Sequence, residues 1–190
     1  GVPANGNLAF VSGSSYVYGS SVKADCNQGY RVEGTSIRAC EANGQWSGTA
    51  PSCKLIECPP QPAPANGAVS YPNGRNLGDQ LVYTCNTGFV LQGSATRQCQ
   101  STDQWTSVAA SCAAILCNNL PTPANGQVVH GGTSGGKTPF GQKATFSCNQ
   151  GYVLQGMAVL TCEGDSLPGK FNGPPPTCAP VNCGDPGNPA

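Results

Sequence analysis

Several stretches of this 190-residue chain carry residue types that do chemistry elsewhere, at spacings that chemistry uses. Gly131-Gly132-Thr133-Ser134-Gly135-Gly136-Lys137-Thr138 spells a phosphate-cradling loop, in which backbone N–H groups and a lysine hold nucleotide phosphates. Such a loop works only where a strand leads in and a helix leads out. Here Pro139 and Phe140 follow at once, so the stretch reads as a flexible loop between two strands. Gly132, Ser134 and Gly136 also spell a nucleophile elbow, with the lone His130 four residues before the serine. That elbow needs the strained strand-to-helix turn of an α/β sheet, and nothing here shows sustained helical spacing. Cysteine pairs five apart (Cys53 and Cys58, Cys112 and Cys117, Cys178 and Cys183) raise structural zinc, which wants two thiol pairs spaced two to four apart. Asp25, Glu33, Glu41, Asp79, Asp103, Glu163 and Asp165 are dispersed at turns, resemble no calcium loop, and read as solvated surface. The expectation is no catalytic residue, no cofactor and no metal.

The elements that would have to position such groups point elsewhere. The chain holds 12 cysteines, 26 glycines and 17 prolines, with 9 basic and 9 acidic residues. Gly plus Pro comes to about a fifth, and cysteine is far above cytosolic usage, which implies a disulfide framework in an oxidising compartment. Zero formal net charge without a basic cluster excludes nucleic acid and polyanions as partners. The longest largely apolar run, Val108 to Cys117, is too short to cross about 30 Å of hydrocarbon.

The cysteines keep time. Cys26, Cys85 and Cys148 are each followed 14 residues later by another (Cys40, Cys99, Cys162), then after 13, 13 and 16 residues by a further one (Cys53, Cys112, Cys178). Four residues then separate that cysteine from the next, at Cys58, Cys117 and Cys183. Pro3-Ala4-Asn5-Gly6 returns as Pro64-Ala65-Asn66-Gly67 and Pro123-Ala124-Asn125-Gly126, and Asn-Gly marks a turn. Val22 and Ala24, Leu81 and Tyr83, and Ala144 and Phe146 alternate as on a strand with one buried face. After the next cysteine come Gly29-Tyr30, Gly88-Phe89 and Gly151-Tyr152, then short second strands at Arg31-Val32, Val90-Leu91 and Val153-Leu154. Six cysteines alone already allow 15 pairings, so spacing leaves the connectivity open.

This pattern resembles the complement control protein module, also called the sushi domain or short consensus repeat, over essentially the whole chain. The resemblance rests on four cysteines per repeat, Gly-aromatic after the second, Trp46 and Trp105 between the third and fourth, and the four-residue bridge. It implies an all-β chain of tandem disulfide-stapled modules forming an elongated rod. The modules would be 1–53, lacking its first cysteine, then 58–112, 117–178, and the start of a fourth at 183–190. It further implies bonds Cys26 with Cys53, Cys58 with Cys99, Cys85 with Cys112, Cys117 with Cys162 and Cys148 with Cys178. Cys40 and Cys183 would then lack partners within the segment. Trp46, Trp105 and, in the variant third module, Phe171 would be core aromatics. Aligning Pro189-Ala190 with Pro3-Ala4 makes the segment look like a window onto a longer array.

Each module is too small to fold on its core alone, and a bridge such as Cys26 with Cys53 is worth about 3–4 kcal/mol in the chain-entropy model. Apolar residues at the links (Leu55-Ile56, Ile115-Leu116, Pro180-Val181) are placed to pack against flanking modules. No Asn-x-Ser/Thr sequon occurs, while Pro-rich stretches at Cys58–Pro64 and Gly173–Thr177 admit O-linked glycans or, the favoured reading, merely stiffen extended segments. Loops Gly131–Pro139 and Asn73–Gly78 are the first to inspect for binding. The expected role is a non-catalytic extracellular rod, secreted or cell-surface, structural or adhesive, such as a repeat section of a filament. Its partners would be other proteins or further copies of itself. A complement-regulator or receptor-type ectodomain, or the arm of a secreted enzyme, are the alternatives.

Overall fold

The computed structural model describes residues 1–184 and 187; the Pro189-Ala190 repeat start, and with it most of the expected fourth module, lies outside the described residues. The chain is all-β. It divides into two compact units whose boundary runs through the second repeat: residues 1–63, 69–83 and 94–109 form one, and 64–68, 84–93 and 110–190 the other.

In the first repeat, β1 (Gly6–Ser12), β2 (Ser21–Cys26) and β4 (Ile37–Ala39) form an antiparallel sheet ordered β1-β2-β4, and β3 (Tyr30–Glu33) pairs with β5 (Ser52–Leu55). The second repeat copies this: β6 (Gly67–Ser70), β7 (Gln80–Cys85) and β9 (Thr96–Gln98) in one sheet, β8 (Phe89–Gln92) with β10 (Ser111–Ala114) in the other. The third begins with β11 (Leu116–Asn118), paired to β13 (Lys137–Pro139). It continues with β12 (Gly126–His130), β14 (Lys143–Cys148), β16 (Val159–Glu163) and β17 (Lys170–Phe171) in one four-stranded sheet, and β15 (Tyr152–Gln155) against β18 (Thr177–Pro180).

The period-two pattern sets the buried face. Val22 and Ala24, Leu81 and Tyr83, and Ala144 and Phe146 are all buried, with exposed or half-buried residues between them. Each three-residue alternation buries only two side chains, a thin core, and the covalent bridges supply the rest.

The Pro-Ala-Asn-Gly turn explains how a bridge is seated. Asn5, Asn66 and Asn125 hold φ between 55° and 59°, a left-handed conformation that asparagine tolerates. Their carbonyls accept the N–H of Asn27, Asn86 and Asn149, each directly after the repeat's second cysteine. The glycine that follows is fixed by crowding. A Cβ on Gly67 would lie 2.4 Å from the Thr84 carbonyl and 2.7 Å from Cys112 Sγ, and Gly6 and Gly126 meet Cys53 and Cys178 in the same way.

The loop reading of Gly131–Pro139 needs correction. Only Gly131 to Gly136 turns; Lys137–Pro139 forms strand β13, because the linker residues after Cys112 offer it an edge to pair with. Thr138 is completely buried as a result.

Gly67→Ala is expected to destabilise the protein by about 1–3 kcal/mol through overpacking against the bridge, read as a lowered melting temperature by calorimetry, whereas Gly1→Ala, with no atom within 4 Å of its Cβ, should leave it unchanged.

Candidate functional site

The structure bonds Cys26 to Cys53, Cys58 to Cys99, Cys85 to Cys112, Cys117 to Cys162 and Cys148 to Cys178, and leaves Cys40 half-buried and Cys183 exposed as free thiols. Two of the three closely spaced pairs are thereby split between two bridges, and Cys178 of the third is bonded to Cys148. Cys53 and Cys58 have different partners, as have Cys112 and Cys117, so neither pair is available to a metal.

The phosphate-loop and elbow residues are not assembled for chemistry. Thr138, which would have to reach a metal, donates its hydroxyl to Asn119 Oδ1 at 2.8 Å inside the protein. His130 donates Nε2–H to the Leu120 carbonyl at 3.1 Å, and its Nδ1 meets Thr138 Oγ1 at 3.1 Å. Both ring nitrogens are thus occupied in tying down the entry segment of the third repeat. Ser134 closes the turn through its backbone, exchanging hydrogen bonds with Lys137.

The three aromatic residues occupy one register. Trp46, Trp105 and Phe171 each pair in β fashion with the third cysteine of their repeat: Cys40, Cys99 and Cys162. Their burial differs. Trp105 is buried, while Trp46 and Phe171, both expected in the core, are half-buried. Phe171 packs against Ala144, Phe146 and Leu160 and lies 6.1 Å from the His130 ring. Trp105 is covered by the segment after Cys58, and its Nε1–H donates to the Pro59 carbonyl at 2.7 Å. Trp46 has no such cover and instead meets the edge of Tyr16 at 6.1 Å, on one wall of a cleft of about 330 Å³.

A pair of arginines that sequence reading passed over organises these aromatic loops. Arg97, two residues before Cys99 and 9% exposed, donates to the carbonyls of Thr106 (2.6 Å), Ser107 (2.8 Å) and Trp105 (3.4 Å), to Gln61 Oε1 (3.1 Å) and to the Tyr83 hydroxyl (3.4 Å). The planar guanidinium spends all five N–H donors on neutral oxygens, a fit that the single ammonium of lysine lacks. Arg38 does the same less completely, reaching the carbonyls of Ser47, Trp46 and Gly48. In the third repeat the corresponding residue, two before Cys162, is Leu160, fully buried in the apolar cluster. The recurrence of Arg two places before the third cysteine was the signal available.

One carboxylate departs from the solvated reading. Asp103 is only 23% exposed, pairs with Arg31 Nη1, and its Oδ1 is buried with no partner among the described residues. Arg31 follows Gly29-Tyr30 in the first repeat and Asp103 precedes Trp105 in the second, so this ion pair links two repeats inside one compact unit.

The links themselves repeat a two-bond relay. Ile56 donates its N–H to the Gly29 carbonyl (2.8 Å) and accepts from Leu77 N–H (3.2 Å). Ile115 donates to Gly88 (2.8 Å) and accepts from Phe140 (3.0 Å). Both isoleucines are 3% exposed. Leu77, in the Asn73–Gly78 loop, is thereby engaged at a link. Phe140 ring atoms also lie 3.3 Å from where a Cβ on Gly88 would stand, so the second link packs on a bare glycine.

The Sushi repeat (SCR repeat) family model matches residues 3–53, 58–112 and 117–178. P-selectin of Mus musculus is 34% identical over 185 residues, covering 95% of this chain and 24% of that protein. The Sushi, von Willebrand factor type A, EGF and pentraxin domain-containing protein 1 of Rattus norvegicus is 34% identical over 173 residues, 91% of this chain and 5% of that protein. E-selectin of Sus scrofa is 33% identical over 184 residues, 94% of this chain and 37% of that protein. The chain therefore spans a minor part of each relative. Disulfide-rich repeats of this kind belong to an extracellular or cell-surface protein. Among the described residues no helix is long and apolar enough to cross a membrane.

Arg97→Lys is expected to cost about 2–4 kcal/mol, since it strands several buried carbonyls, and Arg38→Lys less; chemical unfolding followed by Trp fluorescence checks both.

Proposed function

This chain belongs to the Sushi repeat (SCR repeat) family, and from that membership we propose that it acts outside the cell as a non-catalytic protein-binding segment with a structural or adhesive role. Its specific form would be a repeat section of an extracellular filament. The observation that carries this reading is the link relay, because the same two hydrogen bonds recur around Ile56 and Ile115. A side chain buried at each link, with bonds on both faces, orders successive repeats at the cost of only four residues of chain. The nearly balanced, dispersed charge supports it as well, since neutral surfaces do not oppose association between copies.

The non-catalytic half of the proposal rests on how the chemistry-bearing residues are used. His130, Thr138 and Arg97 spend their polar atoms on holding the repeats together. A second reading, a complement-regulator or receptor-type binding ectodomain, is favoured by the selectin relatives, although charged residues amount to 9% of the chain. O-linked glycans on the Pro-rich entry segments are compatible with either.

Beads coated with the native chain are expected to adhere to one another or to a cell layer above the level of beads carrying the reduced and alkylated chain, and Ser134→Ala or Lys137→Ala should change nothing. Absence of adhesion together with saturable binding of a soluble complement fragment would replace the first reading by the second.

A further inference from the structure

We propose that Asn73-Gly74 is a site of spontaneous deamidation, and that the isoaspartate formed there loosens the link between the first and second repeats. The reaction asks for an asparagine carboxamide held by nothing else, followed by a glycine whose nitrogen can close on it. The chain has six Asn-Gly pairs, and the structure restrains five of them.

Three of the five are the turns that seat the bridges. Asn5, Asn66 and Asn125 hold φ between 55° and 59°. In the left-handed well, with ψ about 47°, the next nitrogen stands anti to the asparagine Cβ, opposite to the side on which a five-membered ring closes. Leaving that well breaks the bonds that Asn27, Asn86 and Asn149 donate to these carbonyls. For Gly67 and Gly126 it also breaks their N–H bonds to the Pro64 and Pro123 carbonyls, both 3.1 Å. The other two pairs are held by their side chains. Asn43 Oδ1 accepts the Gln45 N–H at 2.8 Å, and Asn172 Oδ1 accepts the Thr161 N–H at 3.0 Å. Each carboxamide must give up that bond before it can turn onto its glycine.

Asn73 has none of these restraints. It is exposed, its backbone lies outside the left-handed region, and its carboxamide bonds to nothing among the described residues. Tyr71-Pro72-Asn73-Gly74 is a turn with proline at its second place, closed by the Gly74 N–H on the Tyr71 carbonyl. At 3.3 Å that bond is longer than those of Gly44 (3.0 Å), Gly67 and Gly126 (3.1 Å). The Gly74 nitrogen attacks Asn73 Cγ, and the proton it loses departs with the side-chain amide as ammonia. One water then opens the succinimide. Cleavage of its bond to the Asn73 main-chain carbonyl leaves isoaspartate, with the chain routed through Cβ; cleavage at Cγ leaves aspartate. Asparagine plus water thus becomes a carboxylate plus ammonia, without oxidant or reductant.

The residues that follow hold the first link. The Arg75 carbonyl accepts the Cys58 N–H (2.8 Å), Arg75 Nη1 donates to the Cys58 carbonyl (3.0 Å), and Nη2 pairs with Glu57. Asn76 bridges Glu57 in β fashion, and Leu77 reaches Ile56. Isoaspartate adds a methylene to the main chain and a carboxylate two residues before Arg75. Asp79 Oδ2 already accepts the Asn76 N–H at 2.8 Å and stands 3.0 Å from where a Cβ on Gly74 would be. The new charge therefore arrives beside one of its own sign, and the inserted methylene shifts the register of 75–77 on 56–58.

The test ages the disulfide-intact chain in mildly alkaline buffer. Isoaspartate is read by peptide mapping with mass spectrometry and by methyl transfer from S-adenosylmethionine with an L-isoaspartyl methyltransferase. Asn73 is expected to convert severalfold faster than each of the other five. In the reduced, alkylated chain all six should convert at similar rates, because glycine follows in each. Asn73→Gln should remove most of the methyl acceptance of the aged native chain. Conversion at Asn73 no faster than at another of the six, or the same ranking in the unfolded chain, would overturn the site. In chains carrying isoaspartate at 73, hydrogen exchange at the Cys58 and Leu77 amides should quicken severalfold relative to Asn73→Gln, with the Phe140 amide at the second link unchanged. Equal exchange would overturn the loosening. Bead adhesion of fresh chain is independent of both results and continues to report on the adhesive role alone.

Discussion

The fold turns on a sulfur bridge pressed against a bare α-carbon. In every repeat the bridge that ends at the repeat's last cysteine (Cys53, Cys112, Cys178) lies less than 3 Å from where a glycine Cβ would be. The turn that brings the glycine there is held by an asparagine at positive φ and by a carbonyl that caps the strand after the second cysteine. A repeat of this size buries too few side chains to balance its chain entropy, and the cross-links, two in each of the second and third repeats, restore the deficit by restricting the unfolded chain. Everything else, including the placement of Trp105 and the link residues, hangs from strands that these bridges register.

Given that frame, the third-cysteine loop is completed in two different currencies of interaction. The first two repeats use an arginine that satisfies loop carbonyls; the third uses Leu160 and Phe171 packed on Ala144 and Phe146. A guanidinium with five neutral acceptors suits a loop whose carbonyls turn inward, and an aliphatic side chain suits one whose strands continue as β16 and β17. The substitution of Phe for Trp and of Leu for Arg in the same repeat is thus one change seen twice.

The strands were legible because alternation and turn residues are local signals: Val22 and Ala24, Leu81 and Tyr83, and Ala144 and Phe146 declare their face within five residues. The pairing of cysteines was not legible from spacing and needed the family resemblance. Asp103 reads as an ordinary turn carboxylate until the structure sets Arg31 beside it, and Trp46 reads as core although the cover that buries Trp105 lies in a different segment. Strand β13 was hidden because a glycine-rich, lysine-bearing stretch has weak intrinsic preference, and the edge it pairs with comes from the linker. In each case the missing information belongs to a partner distant in sequence.

The overlapping bridges also set how far a repeat can be drawn out under tension. In the second repeat, a pull applied between Cys58 and Cys112 crosses from Cys58 to Cys99 through sulfur and then follows only the stretch from Cys99 to Cys112. Those 13 residues reach at most about 45 Å when fully extended. Most of that repeat's contour is shielded from load, so its slack is fixed by sulfur positions rather than by the strength of its sheets.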